Sequence, residues 1–118
     1  MATIIAPGNL STAQTGNADS TNTIQRTDFT SPAWLVIANT AGATPTVTVN
    51  IKGSVDGTTW FNVPYALTSA LSTFVVTAVT LTTTATNWYL LQGNVPYRFL
   101  KLVYSSNTNE TITADYVG

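Results

Sequence analysis

The chain has 118 residues, the length of one domain, and 44% of them are hydrophobic, as is ordinary for a folded globular protein. Charged residues make up only 8%, with four basic and five acidic side chains. Because binding to phosphates needs clustered Lys and Arg, this balance argues against a nucleic-acid partner. The chain has no cysteine and no histidine, which excludes thiolate and imidazole chemistry.

Threonine supplies the polarity that charged residues usually supply: the chain has 24 Thr, eight Ser and ten Asn. A β-branched side chain suits a pleated strand and disfavours a helix, so the composition predicts strands throughout. Uncharged hydroxyl groups also cost less to desolvate than charged groups. The threonines therefore indicate either β-propensity alone or a surface that packs against another protein.

The first 31 residues contain few apolar side chains. They predict an extended segment with short strands near Thr3–Ala6 and Asn22–Arg26. Two interpretations are open: a pair of edge strands folded onto the body, or an extended arm that docks on a neighbouring subunit by adding a strand to its sheet. The candidate partner-binding residues of such an arm are Thr3, Ile4, Ile5, Ala6 and Leu10. The chain start lacks a signal-peptide pattern and no apolar run is long enough to span a bilayer, so we expect no membrane partner.

From residue 33 onward, short apolar runs alternate with turn residues. Ala33–Asn39 is apolar on both faces, as a strand buried on both sides would be. Thr46–Val55 alternates apolar and polar residues, the period of a half-buried strand. Asp56-Gly57 directly after it predicts a hairpin, because Gly adopts positive φ without strain. Further strands are predicted at 58–63, 74–82, 87–92, 97–104 and 111–117, with turns at 40–43, 93–94 and 105–109.

This pattern predicts an all-β protein: a single antiparallel β-sandwich of jelly-roll or immunoglobulin-like topology, with an extended N-terminal arm. Residues 1–31 form the arm or edge strands and residues 32–118 form the sandwich domain.

The residue types needed for catalysis are scarce. Without His or Cys, a nucleophile would need a Lys or carboxylate base, and neither Lys52 nor Lys101 follows a Ser-x-x-Lys pattern. A glycosidase needs two carboxylates at one cleft, and the spacing of the five acidic residues brings no pair together. We therefore expect no enzymatic activity, no cofactor and no metal site.

The segment Ser54-Val55-Asp56-Gly57-Thr58-Thr59-Trp60 is similar to the Asp-box of sialidases but one residue short, and is closer to a hairpin found in discoidin-like and viral β-sandwiches. In both, the turn is structural: Asp accepts backbone N–H bonds and Trp packs beneath it. The alternative interpretation is a sugar-stacking platform formed by Trp60, Phe61 and Tyr65.

The segments Ser-Val-Asp-Gly-Thr-Thr-Trp-Phe at 54–61 and Pro-Tyr-Arg-Phe-Leu-Lys-Leu-Val-Tyr at 96–104, with the closing Thr-Ile-Thr-Ala-Asp-Tyr-Val-Gly, resemble the decoration (cement) proteins of tailed-bacteriophage capsids. The resemblance covers about a third of the chain. It implies a non-enzymatic virion protein on the outer capsid surface, a homotrimer, and the major capsid protein as partner. A phage fibre domain that recognises host glycan and a carbohydrate-binding module remain open as alternatives.

Overall fold

The computed structural model describes residues 2–28, 32–92 and 97–117, and each regular element in those ranges is a β-strand. The all-β class is confirmed. No helix in these ranges is long and apolar enough to cross a membrane. The turn predicted at 93–94 lies outside the described residues. The nine strands are β1 Ala2–Ile5, β2 Gly8–Gln14, β3 Asn22–Gln25, β4 Ala33–Ser54, β5 Phe61–Asn62, β6 Tyr65–Leu67, β7 Val79–Leu81, β8 Ala85–Leu91 and β9 Phe99–Val117.

A long antiparallel ribbon of β4 and β9 forms the centre of the sheet. Its register runs from Trp34 opposite Val117 to Ser54 opposite Phe99. The turns predicted at 40–43 and 105–109 are instead irregularities within these strands, between Ala41 and Thr48 on the β4 side. Turn-type residues also form bulges, and here the two polar segments lie opposite each other, so pairing shifts register and resumes beyond them.

Positive φ angles mark the irregular region. They are 44° at Thr44, 54° at Ser106 and 56° at Asn109. The Asn109 amide donates to the carbonyl oxygen of Ala43 at 2.6 Å. This side-chain bond ties the two strands together where their backbone register shifts.

The ribbon divides the sheet into two halves. In the first half, residues 33–39 of β4 pair with β8, which continues to β6, and residues 112–116 of β9 pair with β2. In the second half, residues 47–53 of β4 pair with β7 and β5, and residues 99–100 of β9 pair with β3, which continues to β1. The β1–β3 pair is parallel, so the sheet is mixed.

The inner faces of both halves contribute to one hydrophobic core, which includes Leu35 and Ile37 from the first half and Val49 and Leu102 from the second. Polar contacts also join the halves. The Tyr104 hydroxyl donates to Ser11 Oγ at 3.1 Å, and Arg26 Nε donates to the Tyr116 hydroxyl at 3.1 Å. Since both ribbon strands run through both halves, pairing gives one continuous open sheet, and a sandwich of two separate sheets is not confirmed.

The N-terminal residues pair within this sheet. β1 lies in parallel beside β3, and β2 lies beside β9 although its only large apolar side chain is Leu10. Leu10 and Ile24 are fully buried in the core. An extended arm is not confirmed, and the predicted boundary at residue 31 lies outside the described residues.

Candidate functional site

The predicted partner-binding residues do not share one surface. Leu10 is in the core, and Ile4 and Ala6 pack against it. Thr3 and Ile5 are exposed on the opposite face of β1. β1 is the last strand in the order of the sheet, so its second edge pairs with no other described strand. The part of this set that a partner can reach is therefore the edge of β1, with Thr3 and Ile5.

The predicted sugar platform is not assembled as one surface. Tyr65 is only 6% exposed and packs edge-on against Tyr89, with ring centroids 5.7 Å apart. Phe61 packs on the core, with its ring 6.5 Å from that of Tyr97. Trp60 alone of the three lines a surface cleft.

The Asp56 turn orders the loop that carries Trp60. Asp56 Oδ1 accepts backbone N–H bonds from Thr58 at 2.8 Å and Thr59 at 2.9 Å, and the Ser54 hydroxyl at 3.0 Å. These bonds stabilise the carboxylate and hold the pKa of Asp56 well below its ordinary value. Gly57 has φ +84°, as the hairpin prediction requires. Because the side chain takes two backbone donors, the strand predicted from residue 58 is confined to Phe61–Asn62.

The cleft beside this turn has a volume of about 300 Å³ and lies on the outer face of the second half. The Lys101 ammonium lies 4.3 Å from the centroid of the Trp60 ring and pairs with Asp19 at 2.8 Å. Sequence analysis did not associate Phe99 or Lys101 with Trp60, because some forty residues separate them and only the register of β9 brings them together. The cleft is lined by Thr3, Thr23, Gly57, Trp60, Phe99 and Lys101.

A second surface, the apolar outer face, lies on the first half. Trp34 is directly opposite both Leu90 and Val117, and Val36 is opposite Trp88. The rings of Trp34 and Trp88 pack edge-to-face with centroids 6.1 Å apart. Trp88 is 45% exposed and Val117 is 41% exposed. This is where sequence and structure differ most: Ala33–Asn39 has the pattern of a strand buried on both faces, and the folded chain buries only one.

The apolar outer face carries little charge. Asp115 lies opposite Val36, and its Oδ1 accepts a 2.7 Å hydrogen bond from the Asn9 amide. The next cross-strand row consists of Ala38, Thr86 and Thr113. A partner that covers this face would therefore desolvate mainly apolar groups and hydroxyls.

Two charged side chains lie in the interior, which the sequence did not indicate. The Arg26 guanidinium is 4.0 Å from the Tyr97 ring centroid and donates to the Tyr97 carbonyl oxygen at 2.9 Å. Glu110 is 1% exposed, and one carboxylate oxygen accepts a 3.2 Å bond from the Asn39 amide. Both side chains connect segments distant in sequence, a structural role.

Burial also affects the tyrosines. Desolvation raises the pKa of Tyr104 to about 12, with the Ser11 hydrogen bond acting in the opposite direction. Desolvation likewise raises the pKa of Tyr89 to about 12, helped by the nearby Tyr65. These hydroxyls therefore stay neutral across the physiological range.

No protein-family model and no curated protein sequence matches the chain. Among solved structures, the fold is similar to that of the SPBc2 prophage-derived protein YomS, with a TM-score of 0.61 and 9% sequence identity. The match covers 92% of this chain and 88% of that chain. At this identity the likeness concerns the fold.

Proposed function

We propose that the chain is a non-enzymatic structural protein of a bacteriophage virion, a decoration (cement) protein that binds the outer capsid surface. The proposed partner is the major capsid protein, and the proposed oligomer is a homotrimer. The observation that carries the proposal is the apolar outer face of Trp34, Val36, Trp88, Leu90 and Val117. The strand Ala33–Asn39 is apolar on both faces, and the fold covers only one of them. This supports a partner protein that covers the other face.

The size of this face supports protein contact. The face spans three strands, β8, β4 and β9; at about seven residues each, spaced ~4.8 Å apart with ~3.3 Å per residue, they cover roughly 330 Å² in projection. An exposed apolar patch of a few hundred Å² is typical of a protein interaction site. A shell repeats the contact at every symmetry-related position, so modest affinity per site suffices.

Two further points support the phage assignment. The composition is rich in Thr and free of Cys and His, and together with the segments at 54–61 and 96–104 it resembles that of decoration proteins. The proposed trimer rests on the same resemblance. The fold is shared with a prophage-derived protein.

The test is co-sedimentation with shells assembled from the proposed partner, the major capsid protein of the same phage. Trp88→Glu should weaken shell binding about 100-fold, since covering the exposed part of a Trp is worth about 2.7 kcal/mol and the new carboxylate must be desolvated. Val55→Glu is the matched control, because Val55 is 59% exposed in the second half. If Trp88→Glu binds shells as tightly as wild type, the apolar outer face does not contact the shell.

Sedimentation equilibrium tests the trimer. Wild type and Trp88→Glu should have the same trimeric mass, because we assign the apolar outer face to the shell. A mass that falls to the monomer in Trp88→Glu would make this face a contact between copies instead.

The edge of β1 is a second docking element of this proposal. Removal of residues 1–20 is not a clean test, because it deletes Leu10 and the pairing of β2 with β9. Removal of residues 1–6 deletes β1 and the contacts of Ile4 and Ala6 with the core, but keeps Leu10 and the pairing of β2 with β9. It should weaken shell binding or trimerisation while the far-ultraviolet spectrum stays that of a folded β protein, and unaltered binding and mass would exclude this edge.

A further inference from the structure

The outer face of the second half carries a lysine that has no ion pair among the described residues. Lys52 lies directly opposite Lys101 in the β4–β9 ribbon. Like charges at directly opposed positions repel each other. Asp19 pairs with Lys101, and Lys52 has no carboxylate within ion-pair distance among residues 2–28, 32–92 and 97–117. The Lys52 ammonium is therefore available to a ligand.

All four basic residues of the chain belong to this half. Arg26 follows β3, Arg98 precedes β9, and Lys52 and Lys101 are in the ribbon. The first half has none. Of these four, Lys101 lines the cleft beside Trp60 and Lys52 is its cross-strand neighbour, whereas Arg26 is buried in the core.

The cleft itself is held in place by the surrounding contacts. The Asp56 turn orders the loop that carries Trp60, and the Lys101 ammonium lies over the indole ring. The ring of Phe99 approaches within 3.5 Å of the position that a side chain at Gly57 would occupy. A side chain at this position would be in van der Waals contact with Phe99, and the positive φ of 84° favours glycine there.

We propose that this cleft binds a pyranose that bears a carboxylate, such as a uronic acid unit of a polysaccharide. The sugar ring packs against Trp60 and Phe99, because aromatic faces stack on the apolar faces of pyranoses. The exposed Thr3 offers a hydroxyl at the rim. The carboxylate lies toward Lys52, which does not line the cleft but is the cross-strand neighbour of the lining residue Lys101. A cleft of about 300 Å³ matches one or two sugar rings.

The expected affinity is modest. A single ring in an open cleft should bind with Kd of roughly 1 mM. An exposed charge pair contributes little, so the acidic sugar should bind about fivefold more tightly than its neutral analogue. Salt should remove that difference, because the pair is accessible to screening ions.

The experiment is a titration of the ¹⁵N-labelled full chain with methyl glucuronide, monitored by the indole N–H peaks of its three Trp residues. The Trp60 peak, assigned by its loss in Trp60→Phe, should shift and saturate, while the peaks of Trp34 and Trp88 stay in place. Methyl glucoside should give a Kd about fivefold higher. A Trp60 peak that does not move at ~50 mM sugar, far above the expected Kd, overturns the proposal.

Charge variants test the role of Lys52. Lys52→Gln should bring the Kd for methyl glucuronide to that for methyl glucoside. Arg98→Gln, the matched control, removes an equal charge from an exposed residue that is not paired with Lys101, and should leave the glucuronide preference intact. If both variants lose the preference for glucuronide equally, the carboxylate is attracted by the overall charge of the protein. The contact assigned to Lys52 would then be wrong.

Titration with N-acetylglutamate tests whether the cleft prefers an acidic sugar to an acidic amino-acid side chain. It should bind at least about tenfold more weakly than methyl glucuronide, because it offers no ring to the aromatic walls. Equal binding would show that the cleft recognises a carboxylate alone and would overturn the saccharide assignment. Since the cleft and the apolar outer face are on different halves, this result is separable from that of the shell-binding test.

Discussion

Gly53 is the position at which one added methyl group should disturb the core most clearly. It lies in β4, opposite Leu100 on one side and Phe61 on the other. A Cβ at this position would be 2.7 Å from Val63 Cγ2 and 3.0 Å from both Cβ and Cγ of Tyr97. Favourable carbon contacts lie at about 3.5–4.0 Å, so the neighbours must move by roughly 0.5–1 Å. Tyr97 is fully buried beneath Arg26, and its ring cannot move without disturbing that cation–π contact.

The loss of stability expected for Gly53→Ala is the difference between two opposing effects. Overpacking a core costs about 1–3 kcal/mol, and replacing Gly in a strand returns about 0.5–1 kcal/mol. The net loss for Gly53→Ala should be about 1.5 kcal/mol. With an unfolding entropy of ~2.1 cal/mol/K per residue over 118 residues, that loss lowers Tm by about 6 °C.

The assay is thermal unfolding followed by circular dichroism at one fixed protein concentration, because assembly makes Tm concentration-dependent. Gly16→Ala is the matched control, since no atom lies within 4 Å of its added Cβ. It should unfold at or slightly above the wild-type temperature. If Gly53→Ala and Gly16→Ala have the same Tm, the packing described around Val63 and Tyr97 is wrong.

Three other changes should have measurable effects on stability. Tyr104→Phe removes the 3.1 Å hydrogen bond to Ser11 that joins the two halves, and should lower the free energy of unfolding in urea by about 1 kcal/mol; no loss would mean that this bond contributes nothing net. Tyr104 and Tyr89 have folded-state pKa values of about 12 against 10 when unfolded, so their stabilisation is complete below pH 10 and is lost as pH rises from 10 to 12. Absorbance at the tyrosinate band should therefore show that some tyrosines ionise only as the protein unfolds. Ionisation of Tyr104 and Tyr89 near pH 10 in the native protein would contradict this. Asp56→Ala should lower Tm at neutral pH, because two loop N–H groups lose their acceptor, and an equal Tm would show that water replaces it without cost.

Many of the strands and the Asp56 hairpin could be predicted because they depend on local pattern, whereas β2 and β6 were not predicted and the strand predicted at 74–82 is confined to Val79–Leu81. Alternation identified the half-buried strand after Thr46, and Asp-Gly marked the turn. The same local reasoning could not distinguish turns from bulges at 40–43 and 105–109. The residue types are alike in both, and only the partner strand decides whether pairing continues.

The interior charges and the cleft depend on distant partners. Arg26 is buried because Tyr97 and Tyr116 lie beside it, some seventy and ninety positions further along the chain. Trp60 was a candidate from the sequence, but its neighbours in the cleft follow from the β9 register. The sequence of Ala33–Asn39 correctly predicted a strand that is apolar on both faces. It could not show whether the second face is covered by another part of the same chain.

The placement of the two surfaces makes the two proposals compatible. The inner faces of both halves share one core, so their outer faces point away from each other. A chain seated on a shell through the apolar outer face would thus present the Trp60 cleft to solvent. Saturating methyl glucuronide should then leave shell binding unchanged, and Lys52→Gln should bind shells like wild type. Displacement of the protein from shells by the sugar would mean that the shell also covers the cleft, for example through Thr3 at the edge of β1, and this arrangement would be wrong.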